Sequence, residues 1–295
     1  MDTTLITGAT GSLGGSVARM LNEKKENSNI AVLVRDVNAD KAKELEALGF
    51  ELRQGDYDDR ASLVSAFQNV SQLYFVSGSD IANRTKQHEN VVSAAKEANV
   101  GHVFYTGVSM NDIDTNSSLY FSLKVHELTE KWIKESGLKY TFLRHNLYAE
   151  VIPMFLGSKE QIVQSKMVYL PTENGRTAFV PRVDLAEAGA NILANPTAFV
   201  NKSVELNGAE KVTFEEVANY LSDITGESIA YVSPEIAEFE KVMTENKVPA
   251  EYIGMMSAFG EGIANQVFDT PSSQLEDILG RKNQSVKDFL AEVYG

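Results

Sequence analysis

Seven residues near the start of the chain, Gly8-Ala9-Thr10-Gly11-Ser12-Leu13-Gly14, carry the clearest chemistry in the sequence. Each glycine answers a separate demand. Gly8 permits a tight turn, Gly11 keeps a Cβ out of the path of an approaching phosphate, and Gly14 lets a helix pack close on a strand. A helix that opens at this point offers free N–H groups and the positive end of its dipole to an anion, with Thr10, Ser12 and Leu13 on the same loop. The loop follows a short β-branched run, Thr4–Thr7, and leads into a stretch in which Leu13, Val17, Met20 and Leu21 share one helical face. Strand, glycine loop and helix in that order bind the pyrophosphate of a dinucleotide. The spacing is Gly-x-x-Gly-x-x-Gly.

Three further strand ends add to this. The run Ile30–Val34 closes on Arg35-Asp36. Arg35 can pair with a 2′-phosphate through its guanidinium fork, and Asp36 can instead accept from a ribose hydroxyl. Arg35 comes first after the apolar run, which favours NADP(H) over NAD(H). Gly55-Asp56-Tyr57 ends the third run, where Asp56 can accept from an adenine amino group and Tyr57 can flank the ring; an Asp helix cap beside a core tyrosine is the other reading. Ser77-Gly78-Ser79 ends the fourth, and its small side chains leave room for a nicotinamide ribose.

Tyr120 and Lys124 form a Tyr-x-x-x-Lys, which on a helix puts both side chains one turn apart on one face. There the lysine can lower the tyrosine pKa, and the tyrosine can pass a proton to a substrate oxygen, with Thr106 or Ser109 as hydroxyl partner. About 0.7 such matches arise by chance in a chain of this length and composition, so the pattern alone decides little. His88, His102, His126 and His145 are scattered and give no metal-ligand spacing. His126 and His145 could border the cleft, but a satisfied core or surface histidine is the favoured reading of each. No Gly-x-Ser-x-Gly elbow is present, which leaves a serine hydrolase unsupported.

The elements that must hold these residues follow from periodicity. Buried strands are predicted at Thr4–Thr7, Ile30–Val34, Phe50–Arg53, Leu73–Val76, Val103–Tyr105 and Tyr140–Leu143. Amphipathic helices lie between them, the third capped by Asp58 or Asp59. Repeated strand–helix–strand units give an α/β fold, a Rossmann-like doubly wound parallel sheet. Its ligand sits outside the carboxyl ends of the strands, beside the first. Residues 1–150 are expected to form this dinucleotide-binding domain. Residues 151–295 are expected to form a smaller, mostly helical lobe that returns to the sheet at least once. In that lobe strands are predicted at Met167–Leu170, Thr177–Val180 and Ser203–Leu206, and a helix at Arg182–Leu193. Helix caps are predicted at Thr213, Ser233, Ser272 or Ser273, and Ser285.

Composition narrows the function. The chain has 295 residues, 43% of them hydrophobic, enough for a full core. A formal charge of −14 repels phosphate backbones and anionic lipid, so neither nucleic acid nor membrane is an expected partner. No cysteine is present, which removes disulfides, thiolate nucleophiles and Cys-based metal sites and suits a reducing, cytoplasmic setting. The sequence shows neither a leader pattern nor a run of about 18 apolar residues.

Taken together, Thr7–Gly14 (TGATGSLG), Val32–Arg35, Gly55-Asp56-Tyr57, Gln87-His88 with Asn90, Tyr105-Thr106-Gly107, Tyr140–Arg144 with Asn146 and Tyr148, and Pro181–Leu185 resemble the NmrA-like branch of the atypical short-chain dehydrogenase/reductases. Within it they resemble most the NADPH-dependent quinone oxidoreductases and the triphenylmethane reductase. The resemblance implies hydride passed directly from NADPH to a quinone or dye-like small molecule, with no flavin and no metal. It implies that Gly8–Gly14, Arg35, Asp56, Tyr57, Ser77 and Gly78 hold the cofactor and that Asn146 and Tyr148 line the substrate pocket. Relatives of this kind do not generally rely on a Tyr-Lys pair. Two alternatives stay open: an NmrA-type regulator that senses NADP(H) without chemistry, and a sugar-nucleotide epimerase using Tyr120 and Lys124. The oligomeric state is also open, a homodimer among the options.

Overall fold

Short runs of β-branched and aliphatic residues, each followed by an amphipathic stretch, have one way to bury both faces of a strand: a parallel sheet covered by helices on its two sides. The computed structural model, which describes residues 3–24, 29–270 and 273–295, has this arrangement. Its strands are β1 (Thr3–Ile6), β2 (Asn29–Val34), β3 (Glu51–Gln54), β4 (Val70–Phe75), β5 (His102–Val108), β6 (Lys139–His145), β7 (Met167–Tyr169), β8 (Lys202–Leu206) and β9 (Ala230–Val232). Between the first six strands run α1 (Ser12–Lys24), α2 (Asp40–Ala47), α3 (Arg60–Ala66), α4 (Arg84–Glu97) and α5 (Ser118–Ser136). After β6 come α6 (Val151–Leu156), α7 (Lys159–Ser165), α8 (Arg182–Ala194), α9 (Phe214–Thr225), α10 (Ile236–Glu245), α11 (Ala250–Ala264), α12 (Leu275–Leu279) and α13 (Val286–Tyr294).

Seven strands join in the order β3-β2-β1-β4-β5-β6-β8, every neighbouring pair parallel. The order reverses between β1 and β4, which opens a crevice above their carboxyl ends. The last strand of the sheet comes from the second half of the chain. There β8 pairs with β6 from Thr141↔Lys202 to His145↔Leu206. A small second sheet pairs β7 with β9.

On one face of the sheet α1 packs against α8. Leu13, Val17, Ala18 and Leu21 of α1 share a core cluster with Leu185, Ala188, Ile192 and Leu193 of α8. The small residues of α8 let it come close: a Cβ on Gly189 would lie 2.7 Å from the Tyr74 hydroxyl. On the other face α3, α4 and α5 cover a cluster built on Leu63, Phe67, Phe75, Val91, Tyr105 and Ile133. A third cluster gathers α6, α7, α9, α10, α11 and α13 around Phe179, Phe214, Phe239 and Phe268.

Three expectations need correction. Thr177–Val180 is not a strand; it makes isolated bridges, Thr177↔Val212 and Tyr148↔Val180, because its neighbours are single residues rather than a ladder. Ser233 does not cap α10, which begins after Glu235; its hydroxyl accepts instead from the Glu173 N–H at 2.9 Å. Ser273 sits one residue before the α12 cap Gln274 and accepts from the Leu275 N–H at 3.1 Å, while Ser272 lies outside the described residues. The caps at Asp59, Thr213 and Ser285 are as expected.

The tightest contact in the sheet-to-helix packing is at Gly14. A Cβ there would lie 2.6 Å from both the Thr7 and Gly8 carbonyl oxygens. Both are backbone atoms and cannot swing aside. Gly14→Ala is expected to lower unfolding free energy by about 1–3 kcal/mol through forced separation of α1 from β1, read as a drop in denaturant midpoint at unchanged slope. A midpoint equal to wild type would show that α1 can slide without cost.

Candidate active site

The crevice above β1 and β4 is a cleft of about 690 Å³. Its floor is the glycine loop. Gly8 turns the chain with φ +63°, a conformation that L side chains rarely adopt. At Gly11 a Cβ would meet nothing closer than the Gly8 carbonyl at 3.3 Å. The protein's own packing therefore asks less of Gly11 than of Gly14, and the open side of Gly11 faces the cleft that it lines. Thr10, Gly11 and Ser12 are exposed there, at the N-terminus of the 13-residue α1.

At one end of the cleft, past β2, Arg35 is exposed, and its guanidinium has no hydrogen bond or ion pair among the described residues. One oxygen of the neighbouring carboxylate is occupied: Asp36 Oδ1 accepts the Asn38 N–H at 2.8 Å, closing a local turn. Lys41, in the first turn of α2, brings its ammonium 3.5 Å from the Thr10 carbonyl. Two cations thus flank the loop's outer end. Asp56 is held in its own turn, its carboxylate accepting the Asp58 N–H at 3.1 Å. The Tyr57 hydroxyl lies 2.5 Å from Thr7 Oγ1 and 2.9 Å from the Val76 carbonyl, tying the ends of β1 and β4 together. Burial raises its pKa, so it stays a phenol.

The far wall is Ser77-Gly78-Ser79, and its position is set from behind. The Ser77 N–H donates to Thr106 Oγ1 at 2.9 Å, and the Gly78 N–H donates to His88 Nε2 at 3.0 Å. His88 is fully buried, and burial, with the nearby Arg84 guanidinium second, pushes it down to about 3. A neutral ring that accepts at Nε2 carries its proton on Nδ1, where Thr129 Oγ1 lies 2.8 Å away; the Thr129 hydroxyl donates its own hydrogen bond to the Val125 carbonyl at 2.6 Å. Arg84 reaches from α4 to the Gly78 carbonyl at 3.4 Å and to the Ser122 carbonyl on α5.

Opposite Arg35, Tyr148 and Arg182 close the cleft, the guanidinium 4.4 Å from the ring centroid. Asn146, two residues earlier, does not reach it. Its amide nitrogen bonds Phe268 O, Thr270 Oγ1 and Asn207 Oδ1 at 3.1 to 3.3 Å, and its oxygen accepts the Leu147 N–H, so it fixes backbone. Tyr120 and Lys124 do not line the cleft either. The Lys124 ammonium lies 4.7 Å over the Phe121 ring, and no hydrogen bond joins it to Tyr120. His126 is turned to the Tyr105 hydroxyl at 2.8 Å, and His145 to the Tyr148 hydroxyl at 3.4 Å. Of the residues named from the sequence, the structure brings together Gly8, Thr10, Gly11, Ser12, Leu13, Gly14, Arg35, Asp56, Tyr57, Ser77, Gly78, Ser79 and Tyr148. It adds Asp80, and it brings in Asp58, Gln87 and Arg182, which the sequence had not marked as site residues, with Lys41 close by. Arg182 stood in a stretch already singled out, just after Pro181. Nothing in the sequence separates Lys41 from a solvated helix lysine. Among the described residues no group of three His, Asp or Glu could hold a metal ion, and no helix is long and apolar enough to cross a membrane.

The NmrA-like family profile matches residues 1–290. The chain belongs to the NmrA-like family. Quinone oxidoreductase 2 of Escherichia coli is 29% identical over 98% of both chains. The structure of this NADPH-dependent quinone oxidoreductase complexed with NADPH covers 99% of this chain and 100% of its own at a TM-score of 0.89. Citrobacter sp. triphenylmethane reductase complexed with NADP(H) is 31% identical, covers 99% and 100%, and gives a TM-score of 0.88. An oxidoreductase of Aspergillus flavus with an NmrA-like family domain, flvB, is 32% identical over 98% of this chain and 94% of its own. The two solved structures share this chain's Rossmann-like parallel sheet with its helical C-terminal region.

The histidines make this NmrA-like fold acid-sensitive. Burial pushes His88 and His145 down to about 3, His102 to about 4, and His126 well below the ordinary 6.5. Unfolded, each takes up a proton near 6.5; folded, His88, His102 and His145 resist until about 3 to 4, and His126 resists well below 6.5. The unfolded chain therefore binds more protons throughout that window, and stability falls as pH falls through it. Denaturant midpoints are expected to drop steadily from about pH 7 to about pH 5, a range in which carboxylates contribute little. A flat profile over that range would contradict the buried neutral state of these rings.

Proposed function

We propose that the chain is an NADPH-dependent oxidoreductase that reduces a quinone or a conjugated, dye-like acceptor by direct hydride transfer, without a flavin. One observation carries the cofactor choice. The Arg35 guanidinium has no hydrogen bond or ion pair among the described residues where it lines the cleft, the Lys41 ammonium sits on the Thr10 carbonyl, and one oxygen of the Asp36 carboxylate is held in its own turn. A 2′-phosphate finds a free cation there, whereas the acid that would take a ribose hydroxyl, Asp36, already has one carboxylate oxygen engaged in its own turn.

The residues present fit a dinucleotide. The glycine loop and the start of α1 supply N–H groups for a pyrophosphate, and Gly11 leaves the loop open on the cleft side. In this reading Gly8–Gly14 hold the pyrophosphate, Asp56 and Tyr57 border the adenine, and Ser77, Gly78 and Ser79 border the nicotinamide ribose. The ring of Tyr57 does the bordering, because its hydroxyl is already committed. Tyr148 meets the acceptor. Bound NADPH supplies the hydride; the chain binds and orients it, and keeps the Ser77–Gly78 wall in place through His88. The likeness to the Escherichia coli and Citrobacter enzymes along nearly their whole length supports the acceptor class.

Tyr120 and Lys124 stand outside the cleft, which removes the support for epimerase chemistry. Tyr120→Phe is expected to leave turnover unchanged. Arg35→Ala is expected to weaken NADPH binding about ten- to a hundredfold, the worth of a hydrogen-bonded charge pair, and to leave NADH binding alone. Both follow from nicotinamide fluorescence titrations and steady-state rates. The reading itself is tested by loss of reduced-nicotinamide absorbance with a panel of quinones and triphenylmethane or azo dyes. Tight NADPH binding with no turnover of any of them would sink it and leave a dinucleotide sensor.

A further inference from the structure

At the end of the cleft opposite Arg35, a polar cluster stands outside the contacts assigned to the cofactor. Tyr148 follows β6 and is bridged in parallel to Val180, two residues before Arg182. The Arg182 guanidinium covers its ring at 4.4 Å. The acid nearest that guanidinium, Glu150, is 3.7 Å away and accepts the Arg182 backbone N–H at 3.0 Å. Behind the Tyr148 hydroxyl lies His145 Nδ1, at 3.4 Å.

His145 is 2% exposed and neutral, so its ring carries one proton. Its Nε2 is buried without a hydrogen-bond partner among the described residues. A buried N–H without an acceptor is rarer and costlier than a buried lone pair without a donor. The proton therefore belongs on Nδ1, donated to the Tyr148 oxygen. The O–H of the tyrosine then has no acceptor among the described residues, and Tyr148 lines the cleft, where an acceptor can be supplied from outside. Tyr57, the other tyrosine of the cleft, has no such freedom.

On the reductase reading, we infer that the Tyr148 O–H and the Arg182 guanidinium together receive the negative charge that builds on the acceptor's oxygen during reduction, with His145 as the positioning residue. The acceptor class is a conjugated molecule with a carbonyl-type oxygen, as in a quinone. It gains two electrons and one hydrogen as hydride, and its oxygen becomes an oxyanion. The tyrosine keeps its proton in the hydrogen bond, and water supplies the proton that completes the product. Donors already aimed at the place where charge develops, in a site partly closed to water, stabilise it more than solvent does. Burial pushes Tyr148 up to about 12, which keeps it a donor across the working pH range.

The test uses p-nitrophenol with the full-length protein, the bound phenolate being read from its yellow absorption band. Wild type is expected to favour the phenolate over the phenol. Tyr148→Phe and Arg182→Met are each expected to weaken phenolate binding about ten- to a hundredfold without changing binding of the neutral phenol. Arg182→Lys should recover part of the loss, and NADPH affinity of Tyr148→Phe should equal that of wild type. A purely structural role for Tyr148 would not select for the charged form. Phenolate affinity of Tyr148→Phe equal to wild type, with quinone turnover also intact, overturns this pair and leaves the reductase reading standing. A phenolate held through Tyr148 in a protein that turns over no quinone supports the pair and sinks the reductase reading.

Discussion

The distance between α1 and the end of β1 governs the rest of this molecule. With hydrogen alone on Gly14, the helix starts within touching distance of the Thr7 and Gly8 carbonyls. That places its free N–H groups at the carboxyl edge of the sheet rather than above it. It also sets the tilt at which α1 meets α8, and so the shape of the core that both helices share. The cleft is the space left when the loop is held this low. Two other walls are fastened close by: Tyr57 to Thr7 and Val76, and the Ser77–Gly78 segment to Thr106 of β5 and His88 of α4.

Most of the fold was legible because its signals are local. An apolar run buried on both faces reads as a parallel strand, and the glycine loop sits where a strand hands over to a helix. The first six strands fall where the pattern puts them, within a few residues. Thr177–Val180 misled because its composition is that of a strand while its partners are isolated residues brought in by distant turns. The cleft's lining was legible where a residue follows a strand directly, as Arg35, Asp56 and Ser77 do. The Tyr120–Lys124 spacing gives a shared helix face, but not which way that face turns; Arg84 instead draws Ser122 toward the Gly78 wall. Asn146 and His88 show the same limit. Their types suggest chemistry, and only the contacts show that one ties backbone and the other supports the wall.

A protein with a net charge of −14 that is to hold a polyanion must do so at short range. The field of the whole molecule is unfavourable, and attraction is confined to a few groups: backbone N–H groups at one helix start, Arg35 and Lys41 at one end, and Arg182 at the other. Neutrality of the histidines belongs to the same economy. A charged His88 would lose the Gly78 N–H as a partner and put a second cation beside Arg84. The ring works as an acceptor because it is kept dry.

The pairing of α1 with α8 also bears on the order in which the chain is made. The loop and α1 are complete within the first 24 residues, yet the helix that covers α1 ends at Ala194, and the edge strand β8 ends only at Leu206. A growing chain that has produced the first six strands still presents Leu13, Val17 and Leu21 without their covering layer. The dinucleotide cradle thus becomes a settled surface late in synthesis. Until then those side chains lack the apolar cover that α8 gives them.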